Sequence, residues 1–254
     1  MNLLTELANS LTIDQPIGLT IGNFDGLHLG HRHLLEKLRE RTTPEGTVAV
    51  LTFTNHPSQV IRNYPPSPLI YPLEQKLRLL EEAGVDLTIL LTFTKEFSEK
   101  SYDQFLKEVH QAIPFSFFML GEGDVLGNAR QGIELRVKDL GKILDFQAFY
   151  PKKESLDGEL LSSGRIRECI QQGDLRLASH LLGRPYSLFG QIKEGAISLK
   201  GLCLPPPHDY QVTILFHDEL LPAKGKIEHN PPQLKLALTE DHENLSNQFV
   251  EVLF

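Results

Sequence analysis

The fold is decided at residues 20–31, which read Thr20-Ile21-Gly22-Asn23-Phe24-Asp25-Gly26-Leu27-His28-Leu29-Gly30-His31. The apolar run at 17–22 predicts a buried β-strand, and residues 30–41 predict the helix that follows it. Ligands of an open parallel sheet bind beyond the carboxyl ends of its strands, where a helix N-terminus offers free N–H groups to an anion. The segment is therefore a candidate phosphate site.

The prediction of a phosphate site rests on the glycines and histidines of this segment. Gly22, Gly26 and Gly30 permit tight turns and a close approach of the backbone to a ligand. His28 and His31 are three residues apart, so both imidazoles could face one point and stabilise charge on a phosphoryl group in transfer. The alternative is a surface turn whose histidines only cap the helix. The complete strand–glycine–HxGH–helix unit favours the phosphate site, and His33 is expected to be a plain surface residue.

The first two thirds of the chain continue the alternation of strands and helices. Further strands are predicted at residues 47–53, 86–93 and 115–120, and further helices at residues 74–83, 101–112 and 133–144. Ser101 and Gln104 have the spacing of a capping box at the start of one of these helices. The order predicts an α/β fold, Rossmann-like, with a parallel sheet between helices.

The composition changes after Pro185. Segments rich in strand formers, proline and glycine follow, with strands predicted at residues 186–192, 211–216, 233–238 and 248–254. We predict two domains, an α/β domain at 1–185 and a small β-barrel-like domain at 186–254. The histidines of the second domain have no metal-ligand spacing.

A second helix start lies near the end of the first domain. It reads Leu161-Ser162-Ser163-Gly164-Arg165-Ile166-Arg167, and the helix is expected to stop at Gly173. Serines are good N-caps, and the two arginines add donors suited to polyphosphate oxygens. From these residues alone, a plain cap and a phosphate site are equally good interpretations.

Charge and composition limit the partners. The net charge of −8 argues against a general nucleic-acid or anionic-membrane binder. The two cysteines have no metal spacing, and no metal site is predicted. The first residues lack the features of a signal peptide, and no apolar run reaches the roughly 18 residues that span a bilayer. We expect a cytoplasmic protein with small-molecule partners, and the composition predicts no oligomeric state.

An ordered set of motifs resembles the bacterial FAD synthetases, the bifunctional riboflavin kinase/FMN adenylyltransferase family. The resemblance covers about residues 15–192. The matching segments are TIGNFDGLHLGH at 20–31, LTFTNHP at 51–57, EQKLRLLEEAGVD at 74–86 and LSSGRIRECIQQGDLRLASHLLGRPYSLFGQI at 161–192. HxGH alone indicates only a nucleotidyltransferase superfamily, whereas the ordered set is much more specific.

The resemblance implies transfer of AMP from ATP to FMN, with Mg²⁺ carried by the ATP. In that case His28, His31, Ser163 and Arg167 contact ATP phosphates. Asn23 and Asp25 order the turn, and Gly22 and Gly30 bring the backbone to the nucleotide. Phe53 and Pro57 line the flavin site, where Phe53 is equally well interpreted as a core aromatic.

Several positions depart from the family pattern. Asn55 replaces a usual proline, and Gly164 replaces a usual threonine. Gly123 stands where Asp or Asn is expected, with Asp124 beside it as a possible substitute in cofactor binding, and Asp124 and Leu126 replace two aromatics.

The second domain also departs from the pattern. The Gly-Phe-Pro-Thr-Ala-Asn signature of the kinase barrel is absent, and Glu194-Gly195-Ala196-Ile197-Ser198-Leu199-Lys200 occupies its region. We therefore expect a truncated, incomplete barrel without riboflavin kinase activity and with an edge strand open to another element. For the chain as a whole, two further hypotheses stay open. One is adenylyl or cytidylyl transfer to another phosphorylated acceptor, and the other is a flavin- or nucleotide-binding protein that has lost catalysis.

Overall fold

The computed structural model describes residues 1–7, 15–42, 45–61, 66–237 and 245–254. These residues form two compact units, one of residues 1–67 and 77–160 and one of residues 68–76 and 161–254. The second unit thus begins well before residue 186 and includes the helix at Ser163. The functional boundary at residue 185 stays a prediction. Among the described residues, no helix is long and apolar enough to cross a membrane.

The first unit is built on a six-stranded parallel sheet. Its strands are β1 (Asn2–Leu4), β2 (Ile17–Ile21), β3 (Thr47–Phe53), β4 (Leu87–Leu91), β5 (Phe117–Met119) and β6 (Gln147–Phe149). Their order across the sheet is β1-β4-β3-β2-β5-β6. A separate two-stranded antiparallel sheet pairs β7 (Ser155–Leu156) with β8 (Glu159–Leu160). The helices of this unit are α1 (Leu29–Thr42), α2 (Ser58–Ile61), α3 (Leu73–Glu82, whose first turn belongs to the second unit), α4 (Lys95–Glu99), α5 (Tyr102–Ala112) and α6 (Glu134–Leu144). The Rossmann-like α/β fold is confirmed.

The strand order changes direction at β2. Its neighbours are β3 on one side and β5 on the other, so the loop after β2 leaves the sheet at a topological switch point, where ligands of such sheets bind. Both β2 and β3 are buried over nearly their whole length, as their apolar sequences predict. A Cβ at Gly18 would lie 2.1 Å from Oγ1 of Thr42, so this glycine lets α1 pack directly on β2. That contact fixes the position of the start of α1.

Helix α5 begins at an N-cap serine, as predicted. The hydroxyl of Ser101 accepts a hydrogen bond from the backbone N of Gln104. The reciprocal half of the predicted capping box is wrong, because the Gln104 amide donates to Glu108 at 3.2 Å instead. The three-residue strands β1 and β6 escaped prediction because they are too short to show a period.

The described part of the second unit contains two helices and a closed antiparallel barrel. The helices are α7 (Ser163–Gln172) and α8 (Leu175–Leu182), and the strands are β9 (Ser187–Lys193), β10 (Ala196–Ser198), β11 (Asp209–Phe216), β12 (Glu219–His229), β13 (Pro232–Ala237) and β14 (Phe249–Leu253). Their order around the barrel is β10-β13-β12-β11-β14-β9. The expected incomplete barrel with an open edge is therefore wrong. β9 also pairs with β10 in a hairpin, and that pairing completes the ring.

A buried polar cluster joins residues 68–76 to the barrel within this unit. The Gln75 amide donates to the Ser187 hydroxyl at 2.9 Å and to Glu251 at 3.1 Å, and Ser187 donates to Glu251 at 2.6 Å. A buried carboxylate is costly without such donors. These bonds therefore hold the start of α3 against β9 and β14.

Candidate active site

The two histidines of the HxGH turn stack on each other. The centroids of the His28 and His31 rings are 3.8 Å apart, with an angle of 18° between the planes. His28 is buried and directly precedes α1, whereas His31 lies in its first turn and is half-buried. The structure thus brings together the two imidazoles that the spacing singled out.

His28 also caps the helix. The backbone N–H of His31 donates to the carbonyl O of His28 at 2.9 Å and makes a long contact of 3.4 Å with its Nδ1. The capping role and the site role therefore do not exclude each other. With Nδ1 facing the backbone, Nε2 is the nitrogen that can carry the proton and donate to a ligand.

The turn before His28 holds three residues in left-handed backbone conformations. Phe24, Gly26 and Leu27 have φ values of 50°, 81° and 36°. For the two non-glycine residues this costs about 1–2 kcal/mol each. Burial of their side chains, 2% and 0% exposed, offsets it by about 2 kcal/mol each. The turn is therefore held by its own packing.

Phe24 positions the second imidazole. Its ring centroid lies 5.0 Å from that of His31. A Cβ at Gly22 would lie 3.2 Å from the Phe24 ring, so the first glycine of the motif makes room for this packing. Of the three motif glycines, Gly26 needs its freedom at positive φ, whereas Gly30 lies within α1.

A cavity of about 520 Å³ lies beside this turn. One wall is aromatic: Phe53 meets Phe93 and Phe97 edge-on, with centroids 5.1 and 5.3 Å apart, and Phe97 meets Phe105 at 5.1 Å. The volume suits a single organic ligand. Five of the predicted site residues line it, namely Gly22, Asn23, Phe53, Pro57 and Asp124. Phe53 serves both interpretations, since it is buried in the core and also lines the cavity.

The other three phenylalanines of this wall were not predicted from the sequence. Phe93 and Phe97 follow β4 in the run Thr92-Phe93-Thr94-Lys95-Glu96-Phe97, and Phe105 lies on α5. The sequence signal for them was the pair of aromatics at and just after the carboxyl end of a predicted strand.

Asn55, which replaces the usual proline, holds the backbone of Phe93 in this wall. Its amide oxygen accepts from the backbone N of Phe93 at 2.8 Å, and its amide nitrogen donates to the Phe93 carbonyl at 3.0 Å.

The lining of the cavity also carries charge. Asp124 forms a 2.5 Å ion pair with Lys153, and Lys100 pairs with Glu108. Burial and the nearby carboxylates of Glu134 and Asp124 raise the pKa of Tyr150, which follows β6. That phenol is therefore protonated at neutral pH and does not serve as a base.

Ser163 is the first residue of α7 and Arg167 lies one turn further along the helix, both in the second unit. The capping hydroxyl is that of Ser162, which accepts from the backbone N of Arg165 at 3.2 Å, so the cap does not depend on Ser163. The Nε of Arg167 donates to the carbonyl O of Pro68 at 2.7 Å, which fixes the base of its guanidinium. The helix ends at Gly173, with φ of 82°, as predicted.

The region of the missing kinase signature is a tight turn. Lys193 pairs with Ala196, so only Glu194 and Gly195 connect β9 to β10, with φ of 52° and 74°. Two central residues at positive φ are typical of a type I′ hairpin. Such a turn has no loop to surround a phosphate. Across the described parts of both units, no group of three or more His, Cys, Asp or Glu could hold a metal ion.

A parallel α/β sheet with an HxGH turn at its switch point defines a nucleotidyltransferase. The family model for FAD synthetase matches residues 11–165. The chain belongs to the FAD synthetase family.

Two similar proteins share the same name. The bifunctional riboflavin kinase/FMN adenylyltransferase of Haemophilus influenzae is 32% identical over 230 residues, which cover 89% of this chain and 72% of that protein. The protein of the same name from Listeria monocytogenes is also 32% identical, over 70% of this chain and 57% of its own length. The fold matches the crystal structure of a macrolide-efflux protein from Streptococcus pneumoniae, with a TM-score of 0.85, 20% identity and coverage of 99% and 88% of the two chains.

Proposed function

We propose that this chain is an FMN adenylyltransferase, which makes FAD and pyrophosphate from FMN and MgATP. One observation carries the proposal: Gly22 and Asn23 belong both to the histidine-bearing turn and to the wall of the aromatic cavity. A phosphate site and a site for a flat apolar ligand therefore adjoin within one unit. Family membership and the names of the relatives support the same activity.

In the proposed reaction, a phosphate oxygen of FMN attacks the α-phosphorus of ATP. A new P–O bond joins the two nucleotides, and the bond to the β-phosphate oxygen breaks, so that pyrophosphate leaves. His28 and His31 donate hydrogen bonds to the transferring phosphoryl group, where fixed donors stabilise developing charge. Asn23 and Asp25 order the turn, and Gly30 admits the phosphates at the helix start. Mg²⁺ arrives with ATP, since phosphate oxygens are its preferred ligands.

The second helix start contributes phosphate contacts in this proposal. Ser163 and Arg167 would bind the β- and γ-phosphates of ATP, since α7 presents backbone N–H groups and the guanidinium offers a fork of donors. The motif and the cap geometry of α7 support this assignment. The cytoplasmic location likewise stays an expectation.

Restoring threonine at position 164 is expected to tighten ATP binding. A Cβ there would meet only the Ser162 hydroxyl, at 3.7 Å, so the backbone at position 164 has room for the β-carbon of a larger residue. The KM for ATP should fall about threefold to tenfold, because one hydroxyl is added at the phosphate end of α7. The matched control is Gly164→Ala, which removes the flexibility of glycine and should raise the stability by about 0.5–1 kcal/mol without changing that KM. Equal KM values for ATP in the two variants would show that the side chain at position 164 does not contact ATP.

Phe97→Leu is expected to weaken flavin binding. This half-buried ring touches three other phenylalanines of the cavity wall, and its loss should raise the KM for FMN about tenfold, because an aromatic stack is worth on the order of 1–3 kcal/mol. The KM for FMN is measured by steady-state kinetics at saturating MgATP. Phe117→Leu is the control, since Phe117 is also half-buried but does not line the cavity. If both variants have the KM of the unmodified chain, flavin does not stack on this wall.

A second candidate is transfer to another phosphorylated acceptor. Asp124 and Leu126, where the family pattern has aromatics, both line the acceptor cavity and favour this candidate. The test offers FMN, a mononucleotide without a flavin ring and a phosphorylated alcohol, each with MgATP or MgCTP. We expect product only from FMN and ATP. Product with another pair instead would favour the second candidate, and calorimetric binding of FMN and ATP without pyrophosphate release would indicate a protein that has lost catalysis.

A further inference from the structure

The ionisable residues that line the aromatic cavity have a net positive charge, whereas the net charge of the whole chain is negative. The chain carries a net charge of −8. The ionisable residues that line the cavity are three cations and one carboxylate, namely Lys100, Arg130, Lys153 and Asp124. A local excess of positive charge beside an apolar wall favours a ligand with a flat apolar part and an anionic part.

Two of the three cations already have carboxylate partners. Lys100 pairs with Glu108, and Lys153 pairs with Asp124. Arg130 differs, since its guanidinium makes no hydrogen bond or ion pair with any residue in the described ranges. Of these cations, it is therefore the one whose donors remain for a ligand, and the planar fork of an arginine suits the oxygens of a phosphate group.

The loop that carries Arg130 is firmly anchored. Leu126 and Gly132 exchange two backbone hydrogen bonds, of 3.1 and 2.9 Å, and the backbone N of Asn128 donates to the carbonyl O of Lys100 at 2.9 Å. A Cβ at Gly127 would lie 2.3 Å from the backbone N of Tyr102, so the loop packs directly on the start of α5. A fixed loop lowers the entropy lost when Arg130 binds a ligand.

We propose that Arg130 recognises the phosphate group of the acceptor and so makes this site select a phosphorylated flavin over riboflavin. The proposal rests on the proposed function in placing the acceptor in this cavity. It predicts a binding preference that can be measured without ATP and without turnover.

The test measures the Kd of FMN and of riboflavin by quenching of flavin fluorescence, for the unmodified chain and for Arg130→Gln. We expect the FMN Kd to rise about tenfold or more, because a hydrogen-bonded charge pair is lost, and the riboflavin Kd to stay within about twofold. Arg130 is exposed, and glutamine at this position tests the charge without removing the side chain. The control is Arg136→Gln, an exposed arginine that contacts the same loop through the Gln131 carbonyl but does not line the cavity.

Three results would overturn the proposal. The first is an equal rise in the Kd values of FMN and riboflavin on Arg130→Gln. The second is no change in either Kd, and the third is a change confined to the KM for ATP. Failure of the proposed function is a separate observation, namely FMN binding by the unmodified chain without FAD formation. The ratio of the FMN and riboflavin Kd values tests the role of Arg130 whether or not the chain forms FAD.

Discussion

Replacement of His31 by alanine is expected to lower kcat for FAD formation by about two to three orders of magnitude, the loss typical of one removed donor to a developing charge. The KM for FMN should change little, because the ring lost belongs to the histidine pair and not to the lining of the aromatic cavity. Steady-state rates of FAD formation, measured by chromatography over a range of FMN concentrations, separate the two constants.

The same helix supplies the control for this variant. His33 lies two residues further on, half-exposed and outside the motif, with its Nε2 3.1 Å from a carboxylate oxygen of Glu154. His33→Ala should keep the kcat of the unmodified chain, and its unfolding temperature should stay within a few degrees, as is typical of surface changes. A His31→Ala enzyme with a kcat within about threefold of the unmodified chain would contradict a catalytic role for the imidazole pair.

Riboflavin should not be phosphorylated. The hairpin at Glu194 and Gly195 stands where the kinase pattern has its Thr and Asn, and a two-residue turn offers no such side chains to nucleotide phosphate. Incubation of the chain with riboflavin and MgATP should give neither FMN nor FAD. Incubation of the same preparation with FMN and MgATP should give FAD, which serves as the positive control. FMN formed from riboflavin at a rate comparable to FAD formation would show that the barrel phosphorylates riboflavin with other residues.

The parallel sheet was predictable because its strands are short apolar runs that are buried on both faces. β3 was placed at its observed bounds, and β2 within one residue. β12 was missed because its sequence is polar and charged and contains Pro222, which breaks the strand pattern although the segment spans 11 residues. Closure of the barrel was also missed. Besides the β9–β10 hairpin it requires β14 to pair with β9 and β13 to pair with β10, and no local pattern reports pairing between strands so far apart in sequence.

At the site, contacts between residues close in sequence could be predicted from their spacing, whereas contacts between distant segments could not. The stacking of His28 and His31 follows from a three-residue separation at one helix start. The aromatic wall draws its rings from three separate segments of the chain, so only the folded structure shows that they form one surface. The partner of Asp124 is 29 residues away, and for the same reason the sequence could not identify Lys153.

The stacked imidazoles of the HxGH turn are proposed to stabilise the phosphoryl group as AMP is transferred to an acceptor phosphate. Parallel quantification of FAD and pyrophosphate, formed from FMN and MgATP by the unmodified chain and by His31→Ala, tests this role. The two products should appear in equal amounts with the unmodified chain and should decline together in the variant. Pyrophosphate released without FAD, or FAD formed by the variant at the unmodified rate, would contradict the claim.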